Sequence, residues 1–369
     1  MKPNLAIIGA SYLQLPLIIK AKEMGYVTHV FAWKADDVGE FEADFFYPIS
    51  IVEKERILDE CKKIGIVGIC SIASDLAIIT VNYVANALGL TGNSIRCTNI
   101  STNKYLMRQA FEQNGDPIPW YLKVDLNTDL TKITYPAIVK PTDRSGSRGV
   151  CRVDDYISLK KAINVALNQS IEKKVIVEEF IEGEEYSVEY ISFRGCHYFL
   201  GITKKYTTGA PHFIEKGHLE PALLSDSTIT KIKKIVEHAL NSLEVQNGAS
   251  HSEIKIRTDG SIVIIEIGAR MGGDCIGSDL IMYSTGYDYV KMVVSVATGN
   301  CPEFSKVCTP RHVESIFIFN EKDLDELNEL KSKHPEYLIK IVDLHPEKIG
   351  HTRDSSNRAG CYIRIARQE

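Results

Sequence analysis

The 369-residue chain reads as a combined α/β and α+β protein. A parallel-sheet domain comes first, then α+β segments that lead into a second sheet, then a small C-terminal α+β unit. Three observations predict this. Strands and helices alternate over residues 4–88, the texture changes after Gly92-Asn93, and residues 252–274 form a hairpin with opposed like charges. Strand–helix alternation implies a parallel sheet covered on both faces.

Composition is that of an ordinary globular protein: 44% hydrophobic, 25% charged, formal net charge −5. The chain is too long for one small core and should divide into about two to four units. The charge balance makes no electrostatic case for nucleic acid or an anionic membrane surface. No apolar run reaches membrane-spanning length, and no signal-peptide pattern opens the chain. The nine cysteines are scattered without a C-x-x-C, which reads as reduced thiols in a cytoplasmic protein. Cys301 and Cys308 lack neighbouring ligands for a shared metal. There is no internal repeat.

Taken in order, residues 4–8 (NLAII) form a buried strand, followed by Gly9-Ala10-Ser11 and a helical pattern to Met24. Strands at 26–33 and 66–72 and an apolar helix at about 75–88 follow. Only Gly9 of the three glycines in G-x-G-x-x-G is present, so the turn suits a Rossmann-like domain with a duty other than binding NAD. That domain covers 1–98. Thr102-Asn103-Lys104 starts a helix ending at Asn114-Gly115, and Pro117 and Pro119 break the chain. "YPAIVKPTDRSGSRGV" (135–150) is a short β run carrying Lys140, then a Ser/Gly/Arg loop. A helix spans 156–169, and "KVIVEEFIEGEEYSVEY" (174–190) is a strand continuing into a second sheet. Further helices are expected at 227–243 and about 278–298. Residues 301–369 carry no interpretable motif.

The hairpin raises the sharpest question. Asp259-Gly260 is a strong two-residue turn between apolar-rich runs. Closure there sets Glu253 opposite Glu266, and like charges directly across a strand pair are destabilising. A slipped register or two solvated carboxylates would remove the conflict. Against that, Ile262, Ile264, Glu266 and Gly268 should share one face that is otherwise apolar. A carboxylate pair over an apolar floor is costly without a cation, and Mg²⁺ takes carboxylate oxygens together with substrate phosphates. Arg270 and Gly272-Gly273 follow at once, supplying fixed positive charge and close backbone approach.

Two loops complete the candidate site. In 142–150, Gly146 and Gly149 with Ser145 and Ser147 allow backbone N–H groups to converge on phosphate oxygens, although such composition also suits a plain surface loop. No G-x-x-x-x-G-K-[ST] pattern is present. In "GAPHFIEKGHLEPA" (209–222), His212, Glu215 and His218 recur every three residues between Pro211 and Pro221. A zinc reading lacks the H-E-x-x-H spacing; a structural loop and a substrate-recognition loop remain open.

The segments "AIVKPTDRSGSRGV", "VIVEEFIEGEEYSVE" and "EIK…IIEIGARMGG" together resemble an ATP-grasp enzyme of the carboxylate–amine ligase branch, which includes L-amino-acid ligases and carbamoyl-phosphate-synthetase-like proteins. The resemblance covers residues 1 to about 300 and implies an ATP-grasp domain at 99–300 with a lid subdomain at about 115–180. It implies ATP and Mg²⁺ as cofactors, with Lys104 and Lys140 on the phosphates and Lys140 also near adenine. The loop 143–150, including Ser145, Gly146, Ser147, Gly149 and Val150, would be a lid over the triphosphate. Glu178 would accept from the adenine amino group, backbone of Glu179 and Ile181 would read the ring edge, and Glu185 would hold ribose. Glu253 and Glu266 would bind Mg²⁺. The family commonly has Asn two residues after the second Glu, where this chain has Gly268. Arg270 would meet the transferred phosphate, and the substrate would touch His212, Glu215, His218, Arg270 and Gly272, with His218 also catalytic. Ser11 and Ser74-Asp75 would line the cleft.

The reaction so implied is amide formation between small-molecule carboxylate and amine substrates through an acyl-phosphate, releasing ADP and phosphate. A carboxylase activating bicarbonate and a non-catalytic nucleotide binder are the alternatives, and the resemblance admits a homodimer.

Overall fold

The computed structural model describes residues 2–125, 128–210, 213–352, 355 and 358–366, which build three sheets. The first contains β1 (Asn4–Ile8), β2 (Val27–Ala32), β3 (Phe45–Pro48) and β4 (Gly68–Cys70), all parallel in the order β3-β2-β1-β4. Leu5, Ala6, Ile7 and Ile8 are fully buried, because helices cover both faces, and a strand so enclosed is a continuous apolar run. The helices are α1 (Leu15–Glu23), α2 (Val38–Glu42), α3 (Lys54–Ile64) and α4 (Asp75–Leu88). Ser74 caps α4 by accepting from the Ala77 N–H, which sets Asp75 at the carboxyl end of β4, beside the turn after β1.

Two further helices lead out of this domain, α5 (Ile95–Thr102) and α6 (Lys104–Asn114). The Asn103 side chain accepts from the N–H groups of Tyr105 and Leu106, a standard N-cap, so Lys104 is the first helical residue. Lys104 and Arg108 lie one turn apart on the same face.

The second sheet is antiparallel, with β5 (Tyr121–Val124), β6 (Ala137–Pro141), β7 (Cys151–Val153) and β8 (Val175–Glu179) in the order β5-β8-β6-β7. It packs on α7 (Tyr156–Gln169) through its own core of Val139, Leu159, Ala166 and Val177. This unit occupies the residues at which a lid is expected.

The third sheet has eight strands: β9 (Glu184–Phe193), β10 (Cys196–Thr207), β11 (Glu215–Glu220), β12 (Gly248–Ile256), β13 (Ile262–Gly268), β14 (Val313–Phe317), β15 (Leu338–Val342) and β16 (Cys361–Ile365). Their order is β13-β12-β9-β10-β11-β14-β16-β15. Around it lie α8 (Asp226–Ser242), α9 (Ile281–Thr285), α10 (Tyr289–Ala297) and α11 (Glu321–Lys333).

Four expectations need correction here. The C-terminal residues do not stand apart, because β14 pairs with β11 and carries the sheet on through β16 and β15. The helix expected at 278–298 is a π-helical turn at Ile276–Leu280, then α9 and α10, broken at Gly286. Glu215 and His218 lie on a strand, not in a loop, with a bulge at Lys216. The hairpin closes on three residues, since Gly260 N–H bonds to the Arg257 carbonyl and Arg257 N–H to that of Ser261. The register from Ile256↔Ile262 to Ile254↔Ile264 is therefore one residue off expectation, and a bulge at Ile265 restores Glu253↔Glu266. The bulge also separates the faces. Ile262, Ile264 and Ile267 enter the core, whereas Ile265, Glu266 and Gly268 line a cleft. Glu266 thus does not continue the apolar face of Ile262 and Ile264.

All nine cysteines are free thiols. No helix among the described residues is long and apolar enough to cross a membrane.

Candidate active site

The cleft lies between the lid sheet and the eight-stranded sheet and encloses about 180 Å³. Glu253 and Glu266 face each other across β12 and β13 as expected. Each is held by a lysine. Lys104 Nζ sits 2.7 Å from Glu266 Oε1 and donates also to the Arg144 carbonyl at 2.6 Å. Lys205 Nζ lies 2.6 Å from Glu253, 3.1 Å from Glu185 and 3.8 Å from Glu215. Burial disfavours both ammonium groups, but the facing carboxylates outweigh it. Lys104 is raised, mainly by Glu266, and Lys205 is raised well above its ordinary value, mainly by Glu253 and Glu185. Glu253 is held well below the carboxylate range, because Lys205 overcomes the cost of its burial.

His251 stands opposite Glu189 in the β9–β12 ladder, with Nδ1 2.5 Å from the Glu189 carboxylate and Nε2 3.6 Å from Glu253. Burial alone would lower this imidazole; Glu189 raises it to about 9. A Cβ at Gly272 would come 2.6 Å from His251 Nδ1, so the backbone approach expected of Gly272 is against this ring.

The inner end of the cleft is a buried ion triad. Glu178 on β8 receives Arg108 Nε at 2.8 Å and Lys140 Nζ at 2.6 Å. Arg108 also donates to the carbonyl of the bulge residue Ile265 at 2.6 Å. Burial pushes the Glu178 carboxyl up, but the two cations bring it below its ordinary value. Lys140 is lowered, first by burial, and sharing one carboxylate with Arg108 does not offset that. Both Glu178 oxygens therefore have intramolecular donors. The Glu179 N–H is taken by the Trp120 carbonyl, which leaves only its carbonyl to read a ring edge, and its side chain pairs with Arg257 at 2.7 Å. Ile181 and Glu185 line the cleft, Glu185 facing Lys255 across the ladder.

The lid loop contributes Ser145, Gly146, Ser147 and Val150 to the lining. Gly149 does not line it; a Cβ there would press on Pro141 and Gln169.

Arg270 makes a two-point bond with Asp75 of the first domain, at 2.9 and 3.2 Å. Gly268 makes room for this pair, since a Cβ at 268 would sit 3.1 Å from Asp75 Oδ1. Ser11 bonds to Gln14 and is not in the cleft lining.

Of the three residues on 209–222, Glu215 lines the cleft and accepts from Ser355 Oγ at 2.6 Å. His218 is 1% exposed, lies 3.9 Å from Asp274, and has no hydrogen-bond partner on either ring nitrogen among the described residues. It is not part of the cleft lining, and burial lowers its basicity. Cleft contact by His218 is thus corrected to a buried position beside Lys205, its cross-strand neighbour. His212 lies outside the described residues. Arg108, Lys205 and His251 went unnoticed in the sequence. The i, i+4 spacing of Lys104 and Arg108 and the i, i+2 spacing of His251 and Glu253 were the available signals.

Two opposed carboxylates suit a hard divalent ion that keeps its other positions for phosphate and water. No cluster of three or more His, Cys, Asp or Glu side chains placed to hold a metal occurs among the described residues.

A family model described as the ATP-grasp domain matches residues 133–279. This chain contains an ATP-grasp domain. The match runs from the lid through the carboxylate hairpin and the Arg270 loop. Among curated proteins, the chain is 29% identical over 306 residues to alanine–anticapsin ligase of Bacillus subtilis, covering 71% of this chain and 64% of that protein. It therefore spans under two thirds of the length of the relatives it matches. Among solved structures, the L-amino acid ligase from Bacillus licheniformis is similar over 100% of this chain and 94% of that one, with TM-score 0.83 and 23% identity. The N5-carboxyaminoimidazole synthetase from Staphylococcus aureus, complexed with ADP, is similar over 100% and 95%, with TM-score 0.79 and 16% identity. At these identities the structures show that the ATP-grasp fold is shared.

Proposed function

We propose that this chain is an ATP-dependent carboxylate–amine ligase forming an amide through an acyl-phosphate and releasing ADP and phosphate. The observation that carries this reading is the opposed Glu253/Glu266 pair. It lies in one cleft with Lys104, Lys140 and Arg270, and with Glu215 at the margin. A carboxylate is a poor acylating agent until one of its oxygens becomes part of a leaving group. Its oxygen attacks the γ-phosphorus, the bond to the bridging oxygen breaks, and ADP departs. An amine then attacks the acyl carbon, phosphate leaves, and the nitrogen loses a proton. Phosphoryl transfer needs in-line positioning and charge neutralisation more than covalent help, and Lys104, Lys140 and Arg270 are cations of the required kind. Mg²⁺, bound by Glu253 and Glu266, would supply further neutralisation of the phosphates. Glu178 and the Glu179 carbonyl would meet adenine, Glu185 ribose, and the lid loop would exclude water from the intermediate. Glu215 would hold a substrate ammonium.

The test is trapping with hydroxylamine, using each proteinogenic L-amino acid as the carboxylate. Hydroxamate and ADP are expected from wild type, and Glu266→Gln should lower the rate by roughly 100-fold or more with an unchanged circular dichroism spectrum. AMP and pyrophosphate as products would rule the mechanism out, since they report adenylation.

A further inference from the structure

Strand β13 is an edge of the eight-stranded sheet, with β12 on one side. On its other side it bonds to α6 and the residues just after that helix. Ile264 N–H donates to the Pro117 carbonyl at 2.8 Å, Ile267 N–H to Met107 Sδ at 3.5 Å, and the Ile265 carbonyl accepts from Arg108 Nη2 at 2.6 Å. Ile265 is the bulge residue, without an opposite residue on β12. The extra residue of a bulge is left out of the ladder, so its backbone needs partners from elsewhere.

We propose that Arg108 is a positioning residue, which holds the bulge at Ile265 and so decides which face of the sheet Glu266 takes. Ile254 lies opposite Ile264. Continued without a bulge, that register would set Glu266 opposite Ser252, on the core face of Ile254 and Ile264. With the bulge, Glu266 meets Glu253 in the cleft. Two points from α6 grip it there: Lys104 holds the carboxylate, and Arg108, one turn on, holds the preceding carbonyl. Charge balance does not explain the arginine. Lys140, 2.6 Å from Glu178, would neutralise that carboxylate alone. Arg108 Nη1 is also buried with no acceptor among the described residues, which is costly. What the guanidinium adds is its planar fork. Nε and Nη2 reach the Glu178 oxygens at 2.8 and 3.2 Å, while Nη2 also reaches Ile265; a lysine ammonium has no such fork. One side chain therefore ties β8 to the hairpin. The consequence for Mg²⁺ rests on the ligase reading above; the register of the hairpin does not.

Arg108→Lys keeps the charge and removes the fork. In the metal-free protein, amide hydrogen exchange across residues 262–268 should quicken. Affinity for Mn²⁺ in the presence of ADP should fall by roughly tenfold or more, while affinity for ADP in EDTA stays near the wild-type value. Wild-type exchange and Mn²⁺ affinity in this variant would overturn the proposal. So would equal losses of Mn²⁺ and metal-free ADP binding, which would place the effect of the arginine at Glu178. Deleting Ile265 supplies an independent check, because the ladder then runs from Ile264 to Glu266 without an extra residue. In that background Arg108→Lys should no longer change Mn²⁺ affinity, and a loss as large as before would overturn the role of the bulge. Should Arg108→Lys alone fail to fold, the same deletion is expected to restore folding; continued failure would make Arg108 a general core residue. If wild type binds no Mn²⁺ with ADP, the metal reading of the carboxylate pair fails, and hydrogen exchange alone decides the role of Arg108.

Discussion

Single residues divide by whether their partners are near in sequence. The Glu253/Glu266 opposition was legible because one turn sets both positions. The lysines that neutralise the pair were not, since Lys205 reaches Glu253 from 48 residues away and Lys104 reaches Glu266 from 162. Arg108 is 1% exposed, and its partner Glu178 is 70 residues on; no local pattern marks a buried arginine for such a role. Glu220 shows what burial does when no cation arrives. It is fully buried, accepts from the Thr203 hydroxyl, and lies near Glu189. Burial pushes its carboxyl from 4.5 up to about 8. Between those values the folded chain holds a proton that the unfolded chain has released. This contribution to stability is therefore complete below about pH 4.5 and falls as pH rises towards 8. Glu220→Gln should flatten that part of the stability–pH curve, by an amount on the order of a few kcal/mol. Thermal melts of both proteins from pH 5 to 8 check this; parallel curves would show that Glu220 ionises normally.

At the scale of elements, caps and periodicity carried most of the legibility. The expected helices at 75–88 and 156–169 have those bounds in the structure. Failures came where one residue was gained or a helix was interrupted. The bulge at Ile265 puts Ile264 and Glu266 on different faces, and a pattern of period two cannot foresee an extra residue. The joint between lid and central sheet is equally demanding. Gly183 connects β8 to β9 with φ +148°, and a Cβ there would overlap the Ile256 carbonyl oxygen. Gly115, after α6, has φ +74° but open space around it. Gly115→Ala should cost about 1 kcal/mol, whereas Gly183→Ala should cost roughly 2–4 kcal/mol because strain and overlap combine. Urea denaturation midpoints of the two variants measure the difference. Equal costs would mean that the joint relaxes freely.

For the molecule as a whole, the boundary expected at residue 300 proves permeable. Interpretable motifs end there, but sheet pairing follows hydrogen bonds and not motifs. The β14–β16 strands share a core with the segment after Arg270: Cys275, Ile276 and Leu280 pack with Val313, Phe317, Cys361 and Ile363. Arg358 donates to Asp274 and to the Glu215 carbonyl, tying the last segment to the cleft margin. A chain ending at residue 300 should therefore be insoluble or lack cooperative melting, because it exposes that core and leaves β11 as an unpaired edge. Soluble yield and melting of residues 1–300 decide it; a cooperative, nucleotide-binding product would mean that the C-terminal strands are dispensable.

The lysines resting on Glu253 and Glu266 have one more consequence, for the order in which ligands arrive. A bare pair of carboxylates would capture any passing divalent ion and hold it in a cleft with nothing to phosphorylate. Here a free ion would have to shed hydration water and also displace an ammonium from each carboxylate it took. An ion already chelated by ATP arrives with negative charge for the displaced ammonium groups to follow. If the pair holds Mg²⁺ as proposed, the resting protein would thus favour the complete metal–nucleotide complex over the metal alone.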